Sequence, residues 1–218
     1  MIKLAIFDLD GVLTSTTDEH FNAWRAIFKN HFAIDIDPLL EQKTKGVSRI
    51  DSLNALLDHY KIGLDQNVKL RLAYEKNRLY QESVMAFDSS KLLTGVTDIL
   101  DFLKSKNVKI ALGSASQNGP VLLDKLGIAE KFDYIVNPAH LLGKPNPDIF
   151  LDAMRHFDCT PDQCIGFEDA ISGIEAIKRA GMFAVGIGPE NLAKADIHVK
   201  TFPELDKSLL EQIIQGDL

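Results

Sequence analysis

The segment FDLDGVLT, residues 7–14, places two carboxylates two positions apart at the end of a short apolar run. Residues i and i+2 of a strand share a face, so Asp8 and Asp10 are expected to point the same way. Like charges this close repel each other unless a proton, a cation or a helix terminus stabilises them. The pair is therefore a candidate ionic site, and the stabilising group must be inferred from other parts of the chain.

Three further groups of polar residues follow predicted strands. They are Ser114 with Ser116, the segment leading to Lys144, and Glu168 with Asp169. In open parallel sheets, ligands bind beyond the carboxyl ends of the strands, so these groups are expected at one edge. Clustered carboxylates without His or Cys favour a hard cation, and Mg²⁺ with a phosphate substrate fits best. The sequence thus predicts a magnesium-dependent phosphate site.

Each residue at this edge can be given a chemical role. A carboxylate oxygen of Asp8 could attack phosphorus in line, and Asp10 could move a proton to or from the leaving or attacking oxygen. Gly11 lets the backbone approach phosphoryl oxygens closely, while Lys144 and Ser114 could neutralise and bind the transferring group. Taken singly, each residue is more often a cap, a turn residue or a solvated charge. The hypothesis depends on their occurrence together at matching strand ends.

Alternating strands and helices are expected to position these groups. Short apolar runs predict strands at 3–10, 108–116, 132–137, 164–169 and 182–188, and helical patterns lie between the later ones at 121–128, 148–157 and 170–181. In the last helix, Ile171, Ile174 and Ile177 are expected to face inward, with Gly181 as the stop signal. The pattern predicts an α/β fold with a doubly wound parallel-sheet (Rossmann-like) core.

A long interval separates the first predicted strand from the second. Nearly a hundred residues lie between Asp10 and Ala111, far more than one crossover helix needs. Two apolar stripes in this interval have helical spacing: Phe21, Trp24, Ile27 and Phe28, and then Leu53, Leu56, Leu57 and Tyr60. We therefore predict a helical domain at 15–86, inserted into a core formed by 1–14 and 87–218.

Four motifs resemble, in order, those of the haloacid dehalogenase superfamily of phosphotransferases. They are FDLDGVLT, the serine of GSAS, the lysine of GKPNPDIF and the segment FEDAISGIEA. The resemblance extends over essentially the whole chain and implies an α/β core with an inserted α-helical cap. It also implies an aspartyl phosphate at Asp8, Asp10 as general acid/base, and Mg²⁺ held by Asp8, the Asp10 carbonyl, Glu168 and Asp169.

A finer resemblance is to the β-phosphoglucomutase group of that superfamily. The segments DLDGVLTSTTDEHFNAW, KGVSRIDSL, SASQNGP and KPNPDIF and the Lys76–Asn77 pair carry it. It implies interconversion of β-D-glucose 1-phosphate and D-glucose 6-phosphate, primed by β-glucose 1,6-bisphosphate. The substrate-binding positions expected from the chemistry and from this resemblance are Gly11, Thr16, His20, Trp24, Lys45, Gly46, Val47, Ser48, Arg49, Ser52, Lys76, Ser114, Ala115, Ser116, Gln117, Asn118 and Lys144.

A mutase has physical requirements that some of these residues could meet. It must hold a second phosphate and keep water from a labile acyl phosphate while the intermediate reorients. Arg49 can bind a phosphate bidentately, and Ser116 and Asn118 could bind it from the core side. Gly46 could let the loop that carries Arg49 flex. The β-phosphoglucomutase group has lysine where this chain has Gln117, so the grip on the distal phosphate is expected to be weaker.

Other cap residues are expected to couple cap closure to catalysis. His20 with Lys76 could sense the sugar and position Asp10, and Trp24 could pack against the closing loop. His20 and Trp24, taken singly, are more often core residues, and Lys45, like Lys76, is more often a solvated charge.

Two other classes of protein remain as alternatives. A phosphatase of small phosphorylated sugars would use every core residue equally, because water then attacks the aspartyl phosphate. A phospho-accepting receiver module also uses acids, a hydroxyl and a lysine, but there the lysine comes last, whereas here Lys144 precedes Glu168. The helical insert is also foreign to such a module.

Composition gives further expectations. The net charge of −7 offers no basic surface for nucleic acid. Cys159 and Cys164 have no pattern of metal ligands and are expected to be reduced thiols in a cytoplasmic protein. We expect neither a signal peptide nor a membrane span, because the apolar runs are too short. Small sugar phosphates are the expected partners, and a monomer is the expected state.

Overall fold

The computed structural model describes residues 1–216 and shows a parallel β-sheet covered by helices. Within these residues the strands, numbered along the chain, are β1 Leu4–Phe7, β2 Lys109–Leu112, β3 Tyr134–Ile135, β4 Cys164–Glu168, β5 Phe183–Ile187 and β6 Ile197–Val199. Their spatial order is β3-β2-β1-β4-β5-β6, and all neighbours are parallel. The predicted α/β fold with a doubly wound parallel sheet is confirmed.

Helices lie between β1 and β2 and after each later strand except β5, which is followed directly by β6. They are α1 Thr17–Phe32, α2 Glu41–Thr44, α3 Arg49–His59, α4 Gln66–Ser83, α5 Val96–Ser105, α6 Gly119–Lys125, α7 Asp148–His156, α8 Ile171–Arg179 and α9 Lys207–Gln215. Among residues 1–216, no helix combines the length and the apolar character that crossing a membrane requires.

Strand β1 is buried along its whole length. Its side chains alternate between two hydrophobic clusters on opposite faces of the sheet, with Leu4 and Ile6 in one and Ala5 and Phe7 in the other. The Phe7 ring stacks on Phe167 of β4 with 4.3 Å between ring centroids. A strand covered on both faces has to be apolar at every position, which is why the sequence shows a continuous apolar run here.

The register of the sheet brings the polar strand ends to one level. Phe7 is paired with Leu112 of β2 and with Phe167 of β4, so the residues that follow these three emerge side by side. The strand itself ends at Phe7, although we predicted it to continue to Asp10. A tight turn replaces the last residues, because the Leu9 carbonyl accepts hydrogen bonds from the amides of Leu13 and Thr14. Asp8 and Asp10 therefore lie on the loop beyond β1 rather than on a strand face.

Three details at the edges differ from the predictions. Strand β3 has two residues instead of the six expected at 132–137, and β6 was not predicted because its three partly exposed residues form no apolar run. Ile171, expected to face inward, is 59% exposed. Residues 171 and 177 lie about 120° apart on a helix of 3.6 residues per turn, so one inward face cannot cover both.

Helices α1 to α4 form the insert between β1 and α5 and have their own hydrophobic cluster. Both predicted stripes are buried in it except for Tyr60, which is half-buried and packs at its margin. Side-chain caps fix two helix starts: Ser48 accepts from the Asp51 amide, and Asp65 accepts from the Val68 amide. An α-helical cap inserted after β1 is thus present, while the domain boundaries at 15–86 stay a prediction.

Candidate active site

Three buried carboxylates meet at the carboxyl end of the sheet. Asp8 follows β1, Glu168 ends β4 and Asp169 comes next, and one oxygen of each lies within 4.8 Å of the others. The Glu168 carboxylate also accepts hydrogen bonds from the amides of Asp169 and Ala170, at 2.7 and 2.9 Å. Because β1 and β4 are neighbours that end at the same level, their terminal acids form a set of oxygen ligands suited to a hard cation.

Lys144 lies inside this acidic cluster. Its ammonium nitrogen is 2.6 Å from Asp8 Oδ1 and 2.6 Å from Glu168 Oε1, and the side chain is fully buried. Burial acts to lower the pKa of Lys144, but the charges of Asp8 and then Glu168 outweigh it and raise the pKa. The lysine is therefore held as a cation between two carboxylates and leaves Asp8 Oδ2 without a bond to it.

The protein's own cations do not fully neutralise the acids. Burial raises the pKa of Asp8 well above its ordinary value. The Lys144 charge opposes this shift, and the Glu168 charge adds to it. Burial and the neighbouring Glu168 likewise raise the pKa of Asp169 to about 7, although Lys45 lies 2.9 Å away. A donor set that holds excess negative charge in a buried place is what a bound divalent cation would stabilise. The residues present fit Mg²⁺.

Asp10 is separate from this cluster and faces the cap. Its carboxylate accepts a hydrogen bond from the Thr16 hydroxyl, and its Oδ2 lies 3.6 Å from His20 Nε2. Burial acts to raise the pKa of Asp10, but its contacts with His20 and Thr16 prevail and lower the pKa. Gly11 follows with a φ of 82°, and a Cβ there would collide with the Asp169 carboxylate. This position therefore requires glycine.

The cap closes a cavity over Asp8 and Asp10. Most of the predicted substrate-binding residues line it together with these two acids: His20, Trp24, Lys45, Gly46, Val47, Arg49, Ser52, Lys76, Ser114, Ala115 and Ser116. Thr17 and Thr44 also line it and were not predicted. Each is adjacent to a predicted residue, Thr16 and Lys45, but nothing in its type distinguished it from an ordinary helix-end threonine.

Several predicted residues lie outside this lining. Gln117 is exposed, and Ser48 serves as the cap of α3. Asn118 is buried, but its amide is bonded to cap helix α4, donating to Asn77 and accepting from Gln81 at 3.0 Å each. Five others do not line the cavity either, and all are buried except Gly11, which is half-buried: Gly11, Thr16, Lys144, Glu168 and Asp169.

Cationic residues of the cap face the cavity without carboxylate partners. Within the part of the chain that the structure describes, neither Arg49 nor Lys76 has an acidic oxygen within 4.0 Å. Burial lowers the pKa of Arg49, and burial together with the Arg49 charge lowers the pKa of Lys76 to about 7. Two unpaired basic groups in a partly buried cleft are suited to binding an anion.

His20 connects Lys76 with Asp10. Lys76 Nζ lies 2.5 Å from His20 Nδ1, on the side of the ring opposite the nitrogen that faces Asp10. Burial and the Lys76 charge lower the pKa of His20, against the effect of Asp10. The imidazole therefore links a cap helix to the proposed acid/base.

The loop before α3 sits directly on the core. Gly46 has a φ of 69°, and a Cβ there would lie 2.7 Å from the Ala170 Cβ and 2.9 Å from the Ser172 hydroxyl. Nearby, Gln42 donates to Glu190 at 2.6 Å, and Lys45 bridges to Asp169. The loop that carries Arg49 therefore contacts the residues that follow Glu168.

Comparisons with known proteins agree on the family. A family model described as haloacid dehalogenase-like hydrolase matches residues 2–181. A β-phosphoglucomutase of Bacillus subtilis strain 168 is 40% identical over 97% of this chain and 95% of its own length. A crystal structure of β-phosphoglucomutase from Clostridium difficile superposes with a TM-score of 0.94 at 38% identity, covering 100% of this chain and 99% of that one.

Phosphatases are also among the relatives. A phosphorylated carbohydrates phosphatase of Thermotoga maritima is 31% identical over 83% of this chain and 82% of its own length. Similarity alone therefore supports a phosphatase or mutase, and the finer activity has to be argued from the site.

Proposed function

Because the chain belongs to the haloacid dehalogenase-like hydrolase family, whose members resembling it are phosphatases and mutases, we propose that it is a β-phosphoglucomutase. It would interconvert β-D-glucose 1-phosphate and D-glucose 6-phosphate through β-glucose 1,6-bisphosphate. The substrate class is the small sugar phosphates, and Mg²⁺ is the proposed cofactor.

One observation carries the choice of a mutase. The same cavity is lined by Asp8 and Asp10 on the core side and by Arg49 and Lys76, without acidic partners, on the cap side. A bisphosphate has a second dianion that needs a binding site while the first phosphate reacts, and this cationic pair could provide it. The 40% identity to a β-phosphoglucomutase supports the same choice.

Asp8 is the proposed nucleophile. Lys144 holds Oδ1, which leaves Oδ2 to attack phosphorus in line. A bond then forms between this oxygen and phosphorus, and the bond from phosphorus to the sugar oxygen breaks. Lys144 and Ser114 would stabilise the charge of the transferring group by hydrogen bonds.

Asp10 is the proposed general acid/base. Its lowered pKa keeps it ionised, so it can take the proton of a sugar hydroxyl as that oxygen attacks the aspartyl phosphate. Asp8 leaves as a carboxylate and the bisphosphate forms. After the bisphosphate turns round, Asp10 returns the proton to the other sugar oxygen as Asp8 removes the second phosphoryl group.

Four residues would hold the magnesium ion: Asp8, Glu168 and Asp169 through carboxylates, and Asp10 through its carbonyl. When bound, the ion supplies positive charge that offsets the repulsion between the carboxylates and the phosphoryl oxygens.

A phosphatase of small phosphorylated sugars is the second candidate, favoured by the relative from Thermotoga maritima. Every core residue would act in the same way, with water replacing the sugar hydroxyl as the group that Asp10 deprotonates. The difference between the two candidates lies in how well the closed cap excludes water.

One assay separates the two. The protein is given Mg²⁺, β-glucose 1-phosphate and a trace of β-glucose 1,6-bisphosphate, and glucose 6-phosphate and free phosphate are followed together. The proposal requires glucose 6-phosphate to form well in excess of phosphate, with no turnover by Asp8→Asn prepared in parallel. Phosphate release without glucose 6-phosphate would refute the mutase and support the phosphatase. The α-anomer of glucose 1-phosphate is the specificity control.

A further inference from the structure

Tyr80 is an aromatic residue of cap helix α4 that is enclosed beside the candidate site without lining its cavity. It lies one helical turn after Lys76, on the same face of α4, and both side chains are buried, with 0% and 2% exposure. Within residues 1–216, its hydroxyl makes no hydrogen bond. An unbonded hydroxyl contributes nothing to this enclosed position, so the contacts that distinguish Tyr80 are those of its ring.

The ring of Tyr80 stacks on the ring of His20. Their centroids are 3.9 Å apart and their planes are inclined by 15°. Stacking of this kind fixes a ring plane, because rotation of either side chain about its last torsion would break the contact. Helix α4 thereby fixes the plane of a side chain that belongs to α1.

Lys76 fixes which nitrogen of His20 carries the proton. Its ammonium lies 5.0 Å from the centroid of the Tyr80 ring and 5.4 Å from that of Trp24, between two aromatic rings that attract a cation. Its Nζ lies 2.5 Å from His20 Nδ1. An ammonium can only donate, so with Lys76 protonated Nδ1 is the acceptor, and the proton of a neutral imidazole is then on Nε2.

The other side of the imidazole faces Asp10. His20 Nε2 lies 3.6 Å from Asp10 Oδ2, too far for a hydrogen bond but close enough for the N–H dipole to orient the carboxylate. We propose that Tyr80 is a positioning residue, which holds the plane of His20 by stacking and thereby directs the Nε2–H group at Asp10. This inference rests on the proposed role of Asp10 in proton transfer.

The ring and the hydroxyl of Tyr80 make separable predictions. Tyr80→Leu removes the stacking partner, so His20 can rotate and both imidazole tautomers become populated. We expect kcat to fall by at least about tenfold while KM changes less than about threefold, because no residue that lines the cavity is itself replaced. Tyr80→Phe keeps the ring face and should restore kcat to within about twofold of the wild-type value.

A matched control accounts for loss of packing in the cap. Phe28 of α1 is equally buried and packs against Phe32 and Tyr60, away from His20. Phe28→Leu also replaces an enclosed aromatic ring by leucine. It should lower Tm as Tyr80→Leu does, but should leave kcat and the His20 tautomer unchanged.

The deciding measurement is the tautomer of His20, observed by long-range ¹H–¹⁵N NMR of the imidazole nitrogens. We expect a single tautomer protonated at Nε2 in the wild type, in Tyr80→Phe and in Phe28→Leu, and a mixture only in Tyr80→Leu. An unchanged tautomer in Tyr80→Leu, or loss of kcat in Tyr80→Phe, would overturn the proposal. The NMR result does not depend on which reaction the protein catalyses, so it remains decisive if the mutase assay fails.

Discussion

At the residue scale, the site contains two neighbouring acids with opposite pKa shifts. Burial and the crowding of carboxylates raise the pKa of Asp8, while contacts with His20 and Thr16 lower the pKa of Asp10 despite its burial. Pairs whose environments separate their pKa values are typical of sites where the two groups have different chemical roles. The sequence indicated both roles, but the contrast depends on His20, which lies on a helix of the cap.

Asp10→Asn tests the role of this acid. The amide keeps the shape of the side chain but cannot accept the proton of a sugar hydroxyl, so we expect turnover to fall by about 10²- to 10⁴-fold. The increase in Tm caused by Mg²⁺ and inorganic phosphate should be retained, because Asp8, Glu168 and Asp169 are unaltered. Turnover equal to that of the wild type would remove Asp10 as the acid/base.

Asp169→Asn tests the excess charge of the acidic cluster in magnesium-free protein. The pKa of Asp169 rises from its ordinary value of 3.8 to about 7 in the folded chain, which therefore binds more protons than the unfolded chain between these pH values. The free energy of unfolding should then fall as pH rises from about 4 to 7, by roughly 1.4 kcal/mol for each unit of pKa shift.

Urea unfolding in the presence of a chelator, at several pH values, measures how the free energy of unfolding declines as pH rises. Asp169→Asn should make it shallower and should also reduce the stabilisation that Mg²⁺ confers near neutral pH. An identical pH dependence in the variant and the wild type would show that Asp169 carries no such penalty.

At the element scale, the loop between α2 and α3 connects the cap to the carboxylate cluster of the core. It places Arg49 at the cavity and rests on the residues after β4 through Gly46. Both the apolar strands and the cap stripes could be predicted, because burial on a fixed period is a local property of the chain. The placement of Asn118 could not be predicted from the sequence. Its partners Asn77 and Gln81 lie on α4, about 40 residues earlier in the chain.

Gly46→Ala tests whether this loop must approach the core so closely. The new methyl group would press on Ala170 and Ser172, so we expect kcat/KM to fall by about tenfold or more as the loop is displaced. Gly127→Ala is a matched control: it has the same φ of 69°, but a Cβ there has open space.

Gly127→Ala should lower the free energy of unfolding by about 1–2 kcal/mol, the usual cost of a side chain in the left-handed region. Gly46→Ala should lower it by at least as much, because its methyl group also presses on Ala170 and Ser172. Steady-state kinetics gives kcat/KM, and urea unfolding gives the free energy of unfolding. Equal kinetic losses in the two variants, or none in Gly46→Ala, would contradict a specific role for this contact.

At the scale of the whole molecule, opposite charges face each other across one cavity. The core contributes carboxylates that lack sufficient counter-charge, and the cap contributes Arg49 and Lys76 without acidic partners. The sequence predicted both sets separately, since each lies near a recognisable motif. Their mutual distance depends on how the cap packs on the core, which no local pattern determines. A monomer remains our expectation.

This arrangement predicts cooperative binding of Mg²⁺ and inorganic phosphate. Each ion neutralises charge that otherwise opposes the binding of the other, so their affinities should be coupled. The Tm increase with both ions should exceed the sum of the separate increases, and Arg49→Lys, which loses the planar fork, should reduce the excess. Simple additivity in the wild type would argue against a shared site.

The central claim is that Asp8 becomes phosphorylated during turnover, and chemical trapping tests it most directly. Protein quenched during reaction with Mg²⁺ and β-glucose 1,6-bisphosphate is reduced with borohydride, which converts a phosphorylated aspartate to homoserine, and is then sequenced by mass spectrometry. We predict homoserine at position 8 in the wild type and none in a sample without bisphosphate. Active protein that shows no homoserine, or shows it at another aspartate, would contradict the account.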